Sequence, residues 1–134
     1  MELLSSASGH LTGPDFQVSI RAGNHAFLSD EPVDFHGADT GPDPYSLLLS
    51  SLCSCTVITV KMYANRKEWL LENVEVTCEL IRNEPGKLPE IYRRIRISGD
   101  LSEDQRQRLL QIANACPVHK LLSNTNFIIS SLSD

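Results

Sequence analysis

Residues 43–67 read DPYSLLLSSLCSCTVITVKMYANRK, and the fold turns on how this stretch is read. Pro44 stands where a helix can begin, because the N–H it lacks would have no intrahelical partner there. Leu47, Leu48, Leu49, Leu52, Val57, Ile58, Val60 and Met62 follow. They go nearly all the way round a helix, and an element apolar on every side is expected to be buried. At about 1.5 Å per residue such a helix crosses the width of a small domain. Its middle is small: Ser50, Ser51, Cys53, Ser54, Cys55 and Thr56, which lets a neighbour approach the axis closely. A membrane span is not expected, since serines and Lys61 break the apolar runs before about 20 residues are reached.

Outside this stretch the sequence reads as runs of strands separated by helix-rich stretches. Glu2–Ser8 is expected to form a first strand, ended by Gly13-Pro14. Phe16, Val18 and Ile20 alternate with polar residues, and Gly23-Asn24 turns that strand into a hairpin with His25–Leu28. Residues 33–42 are loop. Beyond the helix, Val74, Val76, Cys78 and Leu80 mark the inner face of a strand, and a turn at Asn83–Gly86 follows. Ile91, Ile95 and Ile97 mark the return strand, with Arg94 and Arg96 on its other face. Ser102 and Gln105 form a capping box, so a helix starts there and runs to about Asn114. Cys116-Pro117 opens a short helix ending near Asn124, and Phe127–Ile129 closes the chain as a strand. Strands grouped between helices indicate α+β.

The chain has 134 residues, 41% of them hydrophobic and 22% charged, which fits one soluble globular domain with its own core. A formal net charge of −5 argues against nucleic acid or an anionic membrane as partner. Met1-Glu2-Leu3-Leu4 has no basic leader, so the protein is expected in the cytoplasm with its four cysteines reduced. Neither a cofactor nor a metal is called for.

The run Gly41-Pro42, Pro44-Tyr45, Leu47–Leu49, Leu52, Cys55-Thr56, followed by Met62-Tyr63-Ala64 and later by Cys116-Pro117-Val118-His119, resembles the signature of the OsmC/Ohr family of thiol peroxidases. With the intervening hairpin, the resemblance covers nearly the whole chain. It implies an OsmC-like fold: antiparallel sheets packed around a long buried central helix, in an intertwined homodimer.

It also implies a chemistry. The Cys55 thiolate attacks an organic hydroperoxide, Cys116 resolves the sulfenic acid to a disulfide, and a dithiol or other thiol reductant restores both. Cys55 lies mid-helix, and burial alone would raise its pKa, so a cation is needed. The resemblance places that cation in the N-terminal β region, where Arg21 is the nearest candidate. Cys116, followed by Pro117, would hold its sulfur at a helix N-terminus, where the dipole favours a thiolate. Cys53 and Cys78 read as small buried hydrophobes. Cys53 lies about 200° around the helix from Cys55, so the two point apart. The family commonly carries an acid where this chain has Ser46; Glu31 is a possible substitute.

Three other readings compete with this one. Cys53, Cys55, Cys116 and His119 are ligand types zinc accepts, though the C-x-C points to two helix faces. Cys55 with His25, His36 or His119 would suit acyl transfer. A catalytically silent dimer that binds small hydrophobic ligands in the same pocket is the strongest alternative. His119 itself reads as a surface helix residue.

Overall fold

The structure is a computed structural model describing residues 1–133. The chain divides into two compact units, one ending at Leu48 and the other beginning at Leu49. The first unit holds a three-stranded antiparallel sheet, β1 (Ala7–Leu11), β2 (Val18–Ala22) and β3 (His25–Ser29), in the order β1-β2-β3. Gly23 turns β2 into β3 at a φ of 60°, as the hairpin reading requires. The two other boundaries move. β1 begins at Ala7 because only residues 7–11 lie opposite β2. β2 begins at Val18 because Asp15 takes a left-handed φ of 58° and Thr12 N–H bonds Gln17 O, so Phe16 belongs to the turn.

The 30–43 loop is held by Asp30, which is 3% exposed. Its carboxylate accepts from Glu31 N (2.8 Å), Ala38 N (3.2 Å), Thr40 N (3.2 Å) and Thr40 Oγ1 (2.8 Å). One short 3₁₀ turn, Val33–Phe35, interrupts this loop. Gly41 is required by close approach: a Cβ there would lie 1.9 Å from Leu28 O.

The long helix α1 spans Pro44–Lys67, as read from the sequence. Asp43 caps it, with Ser46 Oγ donating to Asp43 Oδ1 and Ser46 N to Oδ2 at 3.4 Å. That Ser46 bond is also the main reason the Asp43 carboxyl is held below its usual range. The all-round burial expected of α1 is not what forms in the single chain. Its buried residues are Leu52, Thr56, Val60 and Ala64, one stripe at a spacing of four, whereas Tyr45, Leu48, Ile58 and Met62 remain exposed. By length and composition α1 could cross a bilayer, yet Val60 and Ala64 lie within the core of the second unit.

That core is built on a hairpin of β4 (Leu70–Ile81) and β5 (Glu90–Asp100). A bulge between Leu71 and Asn73 is matched by Gly99 at φ 140°, where a Cβ would meet Leu70 O at 2.1 Å. α2 (Glu103–Ala113) starts at the expected capping box, with Gln105 N–H donating to Ser102 Oγ. Val60, Ala64, Leu71, Leu109 and Ala113 form the buried cluster, flanked by Val74, Ile95 and Ile97 from the inner sheet face. α3 (Pro117–Leu122) follows, capped by Cys116. The closing strand expected at Phe127–Ile129 does not form. These residues are 92%, 90% and 94% exposed and have no regular structure, because no strand of the described chain pairs with them.

Candidate active site

Cys55 projects from the middle of α1, and Cys116 stands at the start of α3, 61 positions later. The fold brings them into one site, where each thiol shifts the pKa of the other. Burial pushes the Cys55 thiol up, and the bond to Cys116 adds to this. Burial pushes Cys116 up as well, but the bonds it accepts outweigh that and draw it down. Those bonds come from the Cys55 thiol, the backbone N–H groups of His119 and Val118, and Thr56. His119 N lies 3.3 Å from Cys116 Sγ. The two shifts run in opposite directions, as expected of a thiol at a helix N-terminus beside a thiol in mid-helix. Cys116 is fully buried, whereas Cys55 is half-buried and the more accessible of the two.

Arg93 lies in the same unit, and the sequence reading passed over it. Its Nη1 donates to Thr56 Oγ1 at 3.1 Å and its Nη2 to Asn114 Oδ1 at 2.8 Å. Thr56 Oγ1 in turn lies 2.6 Å from Leu52 O. The signal was present: Ile91, Arg93, Ile95 and Ile97 share one face of β5, so Arg93 is a charge at an inward position. A groove of about 430 Å³ opens beside it, lined by Leu52, Ile91, Arg93, Ile95, Asn114 and His119 among others. His119 is half-buried there, and burial, then Arg93, holds its imidazole below the usual value.

Arg21 sits on β2 in the first unit, exposed, opposite Ser8 and Ala26. Glu31 lines a separate cleft with Phe35, Asp43 and Tyr45. Cys53 and Cys78 are half-buried, and burial, then Cys53, raises the Cys78 pKa. Among the described residues, no three His, Cys, Asp or Glu side chains converge in a way that could hold a metal ion.

A long helix, an antiparallel hairpin and a thiol pair joining mid-helix to a later helix start define an α+β protein with a paired-cysteine centre. Residues 37–130 match the OsmC-like protein family, and the chain belongs to it. The fold is also that of an OsmC-like protein from Mycoplasma pneumoniae (TM-score 0.77, 20% identity, covering 92% of this chain and 89% of that one). It is similar to an organic hydroperoxide resistance protein OsmC from Legionella pneumophila (0.67, 21%, 90% and 89%). A third similar structure is the organic hydroperoxide resistance protein OhrB of Bacillus subtilis (0.61, 18%, 88% and 89%). No curated protein matches the chain in sequence.

Proposed function

We propose that this protein is a cysteine-based organic hydroperoxide reductase serving oxidative-stress defence, working as a homodimer with a dithiol or thiol reductant in a reducing cytoplasm. The observation that supports this best is the meeting of Cys55 and Cys116 in one site, each shifting the pKa of the other. Cys55 is the sulfur a peroxide can reach, and its neighbour is the group that can take its proton. Cys116 accepts that proton, and the Cys55 thiolate attacks the distal oxygen of R–O–O–H. The O–O bond breaks, Cys55 becomes a sulfenic acid, and the alkoxide takes the proton from Cys116 and leaves as the alcohol. The Cys116 thiolate then attacks the Cys55 sulfur, the S–O bond breaks, the departing hydroxide takes a proton from solvent to become water, and the disulfide forms. Exchange with a dithiol returns both thiols.

An organic peroxide is the substrate the family implies, and the groove beside Arg93, which neither Cys55 nor Cys116 lines, offers its organic part Leu52, Ile91, Ile95 and Leu110. The same groove favours the second reading, a dimer that binds small hydrophobic ligands without turnover. Intact mass after one equivalent of an alkyl hydroperoxide separates them. A reductase loses two hydrogens and maps a Cys55–Cys116 bridge. Cys55→Ser abolishes peroxide consumption, and Cys116→Ser stops at sulfenic acid or runs on to sulfinic acid. Unchanged mass with retained ligand binding would establish the silent reading instead.

A further inference from the structure

Cys53 and Cys78 have no part in the reaction above, yet the fold pairs them as well. Their meeting follows from the packing of α1 on the hairpin. Cys78 lies directly opposite Arg93 in the β4–β5 register, and both face inward. Arg93 reaches Thr56 on α1 at 3.1 Å. Cys53 precedes Thr56 by three residues, so it lies on the same side of α1, one turn earlier. The Cys53 and Cys78 thiols accordingly face each other across the contact of α1 with the hairpin, and Cys53 contributes to raising the Cys78 pKa. On the helix, Thr56 points between the directions of Cys53 and Cys55. The Arg93–Thr56 contact thus lies amid the four cysteines, and Cys116 also adds to the Cys78 shift, after Cys53.

We infer that Cys53 and Cys78 are a second redox-active dithiol, which closes to a disulfide between α1 and β4 on exchange with a low-molecular-weight disulfide. Cys53 lies half-buried on the helix, open to an incoming reagent. Burial, and then the bond to Cys53, pushes the Cys78 thiol up to about 12, so Cys78 keeps its proton at neutral pH and Cys53 attacks first. The Cys53 sulfur displaces one thiolate from R–S–S–R and forms a mixed disulfide. Cys78 then loses its proton and attacks the Cys53 sulfur, expelling the second thiolate. Two protein thiols are oxidised, one small disulfide is reduced, and two R–SH are released. The closed bridge ties the helix that carries Cys55 to the sheet that carries Arg93.

The test uses the folded full chain with oxidised glutathione, followed by alkylation of the remaining thiols and non-reducing peptide mapping. Because Cys53 and Cys55 fall in one tryptic peptide, the bridge is assigned in Cys55→Ser and, independently, by fragmenting the cross-linked peptide of the wild-type protein. The expected result is loss of two hydrogens for this pair, a Cys53–Cys78 link and a higher urea midpoint in the oxidised form. Cys53→Ser and Cys78→Ser should each lose the link. The inference is overturned if both thiols of the folded protein are alkylated, if each carries glutathione, or if either bonds Cys55 or Cys116. No peroxide enters the experiment, so failure of the reductase reading leaves this result standing.

Discussion

Arg93 interrupts an otherwise apolar strand face and spends both arms of its guanidinium on Thr56 and Asn114. A charge at such a position costs desolvation unless it is hydrogen-bonded. Here the bonds link β5 to α1 and to the loop before Cys116, so the cation is held against the two segments that carry Cys55 and Cys116. Arg93→Ala should therefore move thiol alkylation to higher pH, on the order of half a unit. Arg93→Lys should recover only part of this, since an ammonium keeps the charge without the two-pronged grip. Arg21→Ala tests the other candidate: a shift to higher pH there gives the role to Arg21, and an unchanged profile leaves it with Arg93. Asp30 offers a second test. Its bond from the Thr40 hydroxyl, aided by backbone N–H groups, lowers its pKa. The stabilisation is present above the ordinary carboxylate value and is lost as pH falls through the lowered one. Asp30→Asn should loosen the 30–43 loop at neutral pH, seen as faster proteolysis, and should flatten the wild-type loss of protection on acidification.

At the scale of elements, α1 is held by a stripe of residues at a spacing of four rather than by all its apolar positions. Val60 and Ala64 meet Leu109 and Ala113 of α2 in the buried cluster, and Leu109 is wholly shielded from solvent. Leu109→Ala should cost about 2–5 kcal/mol, through lost transfer energy and the cavity left behind. Urea denaturation of the second unit measures this, and a cost below about 1 kcal/mol would mean that the site collapses around the smaller side chain. The same packing sets the two thiol pairs in place, so a loosened α1–α2 contact should also slow formation of the Cys55–Cys116 bridge.

For the whole molecule, the apolar surface left over is the informative quantity. Ile58 and Met62 on α1 are 54% and 58% exposed, and Phe127–Ile129 extends with no partner. The proposed homodimer would cover such surface with a second copy. Sedimentation equilibrium at micromolar concentration should give twice the chain mass of 14.9 kDa, and a monomer there would remove the dimer from the proposal. Met62→Glu should shift the equilibrium toward monomer if this face is in the contact, because a buried unpaired charge is costly.

Local chemistry made much of this chain legible from its sequence. Pro44 and the apolar run specified α1, Ser102 with Gln105 specified the start of α2, and Gly23-Asn24 specified the hairpin, because each signal acts within a few residues. The contexts of Cys55 and Cys116 marked both as candidates for the same reason. Strand alternation also encoded Arg93 as inward-facing, but its purpose depends on Thr56 and Asn114, 37 and 21 positions away. Phe127–Ile129 has strand composition without a strand, since pairing is a property of two segments and not of one. Only the tertiary structure decided which thiols meet. Sequence spacing sent Cys53 and Cys55 to different sides of one helix, and the packing of that helix against β4 and α3 gave each its own partner.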